Sequence, residues 1–383
     1  MSNADNHVIA EISANLRRYC QETLFALVTQ KPGLVAVRRS RSKEFNARVE
    51  TNDSGATFTV FLNDGVVSQI RQAISLLASD TPETIDHVLR DTALALTGNA
   101  EREPIFRQMI HGSLLFVLLH EVSHITCGHF QRVIAAGRSP ARNVCEFQFD
   151  EVTEPPADTA SSGCDALNSN LVRLSELEAD AIAFDLMDVL SLELIEANSE
   201  LRELIDPDDS AETPEQRRIN ASELMFYSAC AGMAMIEATR GVSHDYPYPF
   251  SRLFNIADVY VQRRFQAAMP DVADETGVLE IPLNDQRRTI LQEIAIPTMF
   301  NAMEICEACC ESAGCILADR FGWKDDPDSI AMKLTTDFLE LLTNVESPEF
   351  FTREARQVHE MRLLRQPFAA MMSPFRMQLS YRC

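Results

Sequence analysis

His120-Glu121-Val122-Ser123-His124 closes an apolar run that begins at Leu114. On a helix, residues four apart lie one above the other. His120 and His124 would then project from one face, with both imidazoles able to reach a single ion. Glu121 is turned about 100° from His120, so it can stand beside a metal rather than on it, within reach of a water that the metal activates. One helical turn thus offers two nitrogen ligands and a carboxylate base, the arrangement used for zinc-assisted hydrolysis. Ser123 and Thr126 add two more polar groups to the same apolar stretch, and burying them costs free energy unless they find partners.

A catalytic zinc takes three protein ligands and keeps one position open. The metzincin spacing would supply a third His six residues after the second. Here Gly128 and His129 stand four and five after His124, so that spacing is absent. If the helix ran on, His129 would lie about 140° round it from His124, as a supporting or helix-end residue. The better source is "ELEAD", where Glu176 and Asp180 are again four apart. Glu176 can ligate the ion, and Asp180 can accept the remaining ring N–H of a ligating histidine and so fix its tautomer. Glu178 is the alternative ligand, but it lacks an Asp four positions on.

"HEVSH" at 120–124, "ELEAD" at 176–180 and "SHDYPYPFSR" at 243–252 together resemble the gluzincin metallopeptidases. The likeness is greatest to the CAAX-prenyl-protease and HtpX branch and to the soluble IrrE/ImmA and Lit-like phage-exclusion peptidases. It spans roughly Leu114 to Arg252. It implies a zincin-like core, a resident Zn2+ held by His120, His124 and Glu176, and hydrolysis of a protein or peptide substrate. Glu121 would serve as general base. His244 would be a second catalytic group, stabilising the developing oxyanion, with Tyr246, Tyr248 and Arg252 as further substrate or transition-state contacts. In such folds a peptide often adds to a sheet edge, and the strand 57–62 is the candidate for that role. The competing expectation is a regulatory or binding protein that keeps the zinc fold without cleaving peptides.

The elements expected to hold these residues are mainly helical with a small sheet, an α+β chain. Residues 45–51 and 57–62 are rich in β-branched and aromatic side chains and flank Asn-Asp-Ser-Gly, which predicts a hairpin. Helical patterns cover 6–28, 66–78, 82–96, 102–133 and 171–190, the fourth and fifth being the expected zinc helices. Ser222 to Thr239 is apolar nearly all round, as a buried helix is. The stretch 137–169 is rich in Pro, Ser and acidic residues and predicts a long loop between the zinc helices, a candidate lid. The expected organisation is a metallopeptidase core over 1–260, a helical region over 261–346 packed on it, and a tail over 347–383.

Composition bounds the function. The chain has 383 residues, 46% hydrophobic, with a formal net charge of −23, which argues against nucleic acid or an anionic membrane as partner. No apolar run approaches the ~20 residues of a spanning helix, and the first residues lack the basic start and apolar run of a signal peptide, so the sequence predicts a cytoplasmic chain. Cys306, Cys309, Cys310 and Cys315 cluster in a helical stretch without paired Cys-x-x-Cys knuckles, which predicts buried thiols rather than a second zinc site.

Overall fold

The computed structural model describes residues 35–51, 57–80, 99–135, 162–197, 214–239, 247–268, 285–314, 327–343, 349–374 and 376, with the isolated Ala14. Three strands form one sheet: β1 (Val35–Ser40), β2 (Ala47–Thr51) and β3 (Phe58–Asn63). Nine helices follow among the described residues: α1 (Asp64–Asp80), α2 (Asn99–Thr126), α3 (His129–Ala135), α4 (Ser162–Ala197), α5 (Pro214–Thr239), α6 (Pro249–Ala268), α7 (Asp285–Ser312), α8 (Pro327–Leu342) and α9 (Arg353–Met372). The chain is therefore mainly α with a small mixed sheet, as its patterning predicts. The expected helices at 6–28 and 82–96 lie outside the described residues.

β2 and β3 pair antiparallel with Val49 opposite Val60, the expected hairpin. The sheet gains a strand that sequence patterning does not reveal: β1 runs parallel to β3, with Val37 opposite Val60. The order is β1-β3-β2, so β3 is central and paired on both sides. Its expected role as a peptide-binding edge is thereby corrected, because a central strand has no unpaired backbone groups to offer. Val35, Val37, Ala47, Val49, Phe58, Val60 and Leu62 are buried, the alternation of a sheet packed on one face. β2 and β3 pack against α2. Phe58 reaches Phe130 on α3 with ring centroids 5.9 Å apart.

α2 is the axis of the molecule, packed against α4, α5 and α1 as well as the sheet. That explains its apolar run: Leu114 through Leu119 are all buried because neighbours surround the helix on every side. α2 and α5 approach closely at small residues. A Cβ on Gly112 would stand 2.6 Å from the Cβ of Ser228. The Ser113 hydroxyl lies 2.7 Å from the carbonyls of both Met109 and Ser228. Ser123 donates to the Leu119 carbonyl at 2.7 Å and Thr126 to the Ser123 carbonyl at 3.3 Å. Both hydroxyls are thus satisfied within their own helix, and only the histidines and Glu121 need another account.

The helix expected over 102–133 is broken. Gly128 adopts φ 81°, a left-handed conformation that glycine takes without the Cβ penalty, and α3 starts in a new direction at His129. The second zinc helix begins earlier than expected, at Ser162, so 162–169 is helical rather than loop. The rest of the candidate lid, 137–161, lies outside the described residues. In α7, Cys306 and Cys310 are buried with their sulfurs near the carbonyls of Cys230 and Ala234 on α5, at 3.9 and 3.7 Å. They are packing residues, as expected; Cys315 lies outside the described residues. The segment read as a tail carries α9, which packs on α6 and α4. No helix among the described residues is long and apolar enough to cross a membrane.

Candidate metal centre

Two helices bring the chemistry together. α2 presents His120 and His124, and α4 crosses it to present Glu176 and Asp180. The two Nε2 atoms lie 3.0 Å apart. Glu176 reaches His120 Nε2 at 3.5 Å and His124 Nε2 at 3.6 Å through its two oxygens. All three residues are buried, and their ligand atoms form a group that could hold a metal ion. The spacings suit one: ligands about 2.0–2.1 Å from a tetrahedral zinc stand about 3.3 Å from one another. The chemistry of the donor set, two imidazoles and a carboxylate, also fits a borderline divalent ion.

The histidine tautomer follows from the far side of the ring. His120 Nδ1 lies 2.8 Å from Asp180 Oδ1. A carboxylate only accepts, so the ring proton sits on Nδ1 and the Nε2 lone pair faces Glu176 and His124. Asp180 is wholly buried. Burial alone would raise its pKa, but the charge and hydrogen bonds of Arg252 and the bond from His120 outweigh it and hold the carboxyl below its usual value.

Arg252 donates to both Asp180 oxygens, from Nε at 2.8 Å and from Nη2 at 2.7 Å. Its Nη1 reaches Glu237 on α5 at 3.3 Å. The side chain is 0% exposed, which decides its role. It braces Asp180 from behind the His120 ring, on the side away from Nε2. The guanidinium is matched to Asp180 by a bidentate fork.

Glu121 is buried at 1% exposure next to His120. Glu178, the alternative ligand, turns to His129 instead, its Oε2 lying 3.1 Å from His129 Nε2. His129 also meets His124, Nδ1 to Nδ1, at 2.8 Å. The turn at Gly128 makes this contact, since a continuous helix would have carried His129 away from His124. Tyr248 sits before α6, its ring under the Arg353 guanidinium at 4.5 Å and its backbone N–H donating to Gln357 at 2.7 Å, so it ties α6 to α9. His244 and Tyr246 lie outside the described residues. Sequence reasoning did not find Glu237 or Arg376, each of which meets its partner, Arg252 or Glu178, only through the fold.

The cluster is strongly acidic. Among the described residues Glu121, Glu176, Asp180 and Glu237 are buried, and the buried guanidinium of Arg252 pairs with Asp180 and Glu237, while Glu178 meets Arg376 at the more exposed margin. A buried acidic excess favours a bound cation. No protein-family model matches the chain, and neither a curated protein nor a solved structure matches it.

Proposed function

We propose that the protein is a zinc-dependent endopeptidase of the gluzincin type, with a zincin-like core, acting on a protein or peptide substrate. The observation that carries this reading is the convergence of His120 Nε2, His124 Nε2 and the Glu176 carboxylate, with Asp180 holding the opposite nitrogen of His120. Two histidines and a glutamate form one of the ligand sets of catalytic zinc. When bound, the ion would supply Lewis acidity, polarising the scissile carbonyl and acidifying a water.

The chain's own residues would do the rest. His120 and His124 would hold the ion through Nε2, and the Glu176 carboxylate would neutralise part of its charge. Glu121 takes a proton from the attacking water and delivers it to the departing amine, a role for which its place beside His120 suits it. Asp180 and Arg252 hold the His120 ring still, so that its lone pair meets the ion without reorganisation. Exclusion of bulk water by the buried surroundings strengthens each of these electrostatic contacts.

The test is cleavage of a denatured-protein or peptide-library substrate, abolished by a chelator and restored by zinc. Glu176→Ala should lose both the metal and the cleavage, whereas Glu178→Ala should remain loaded when zinc is in excess. A chain that loses zinc only on substitution of Glu178 would overturn the ligand assignment.

A further inference from the structure

Beside the first metal group lies a second trio of ligating types. Cys127, His129 and Glu178 place a sulfur, a ring nitrogen and a carboxylate oxygen close enough together to suit an ion. Proton placement decides whether this trio is another site. The decisive contact is the 2.8 Å hydrogen bond between the two Nδ1 atoms of His124 and His129. One of the two nitrogens must donate and the other accept.

If His124 binds an ion through Nε2, its proton is on Nδ1 and it donates. His129 then accepts at Nδ1 and carries its own proton on Nε2. That proton points at Glu178 Oε2, 3.1 Å away, and Arg376 holds the other oxygen of the same carboxylate. Every donor in the chain finds an acceptor. Suppose instead that His129 Nε2 bound an ion. Its proton would sit on Nδ1, His124 Nδ1 would have to accept, and the His124 proton would move to Nε2. There it would point at His120 Nε2, 3.0 Å away, and block the first site. The two trios therefore cannot both be loaded while this bond stands.

We infer that His129 and Glu178 form a positioning chain for His124, fixing its tautomer and ring orientation, and that Cys127, His129 and Glu178 do not hold a second ion. The inference rests on the metal reading of His120, His124 and Glu176. It makes the two ligating histidines equivalent in design. His120 is anchored by Asp180 and Arg252, and His124 by His129, Glu178 and Arg376. The ring of His129 is further held against Phe368 of α9, with centroids 6.2 Å apart, and Phe130 sets its edge to His124 at 6.3 Å. The chain thus ties the metal group to α9 and to Arg376, far along the sequence. Cys127 stands at the margin as a buried neutral thiol, its pKa pushed up by burial and by the neighbouring Glu178 carboxylate.

The experiment uses the full-length chain and zinc itself, with stoichiometry by elemental analysis and affinity by chelator competition. The wild type should hold one zinc per chain. His129→Phe and Glu178→Ala should each weaken binding by about 10–100-fold, and the double variant should be no weaker than His129→Phe alone. His129→Asn, whose side-chain carbonyl can still accept from His124, should recover most of the affinity, which a purely packing role would not allow. Cys127→Ser should bind as the wild type does. Two zincs per chain, one of them lost in Cys127→Ser, would overturn the inference, as would wild-type affinity in both His129→Phe and Glu178→Ala. A separate readout is the imidazole nitrogen–proton correlation spectrum of the chain incubated with zinc, where His124 Nε2 serves the ion and its proton is left on Nδ1. A proton on Nε2 of His129 supports the positioning chain. A proton on Nδ1 overturns it even where zinc binds. A wild type that binds no zinc, with the His129 proton on Nε2, would sink the metal reading and leave the hydrogen-bonded chain standing.

Discussion

Glu121→Gln is expected to lower peptide cleavage by about three orders of magnitude while zinc content and folded structure stay as in the wild type. Gln has the shape of Glu and fills the same buried place beside His120, so packing is conserved. Its amide cannot take a proton from water or return one to a leaving amine. The His120, His124 and Glu176 atoms that converge on the metal position are untouched. Single-turnover cleavage and metal analysis on the same preparation check both halves. Turnover within about tenfold of wild type would remove Glu121 from the proton-transfer role, and loss of zinc would show that it belongs to the ligand set.

Arg252→Met should produce the largest loss of stability, about 3–5 kcal/mol, the cost of leaving a buried charge uncompensated. Met keeps much of the aliphatic volume but leaves Asp180 and Glu237 facing each other's charge without the guanidinium. Urea denaturation of the metal-free chain reads the loss without interference from zinc binding. Adding Asp180→Asn should recover part of it, because the two residues touch and their effects are coupled. If each single substitution costs less than about 1 kcal/mol and the double variant is additive, the pair is not the brace that the geometry describes.

What the sequence disclosed was local. The pairs His120–His124 and Glu176–Asp180 are each one helical turn apart, so spacing alone put each pair on one face, and the structure brings all four together. The hairpin was legible because β2 and β3 are adjacent and rich in β-branched residues. β1 was not: Val35 and Val37 alternate, but Arg38, Arg39 and Ser40 follow, and its partner β3 pairs parallel across a hairpin. Gly128 looked like one glycine inside a helical pattern, and only its positive φ shows that the helix ends there. That single turn converts His129 from a residue on another face into the partner of His124. Arg252 was legible as part of the site, but its bond to Asp180 was not. It lies 72 positions from Asp180 in the chain, and nothing in periodicity reports an ion pair across that distance. Nor could Arg376, which reaches Glu178 across 198 positions, be placed before the fold was known.

The central claim is that His120, His124 and Glu176 hold one zinc. The most direct measurement is the zinc content of the purified chain after incubation with excess zinc and removal of unbound metal, compared between the wild type and His120→Ala. The wild type should carry about one zinc per chain and His120→Ala close to none, with both folded by circular dichroism. A wild type that carries no zinc, or a folded His120→Ala chain that keeps a full equivalent, would contradict the account.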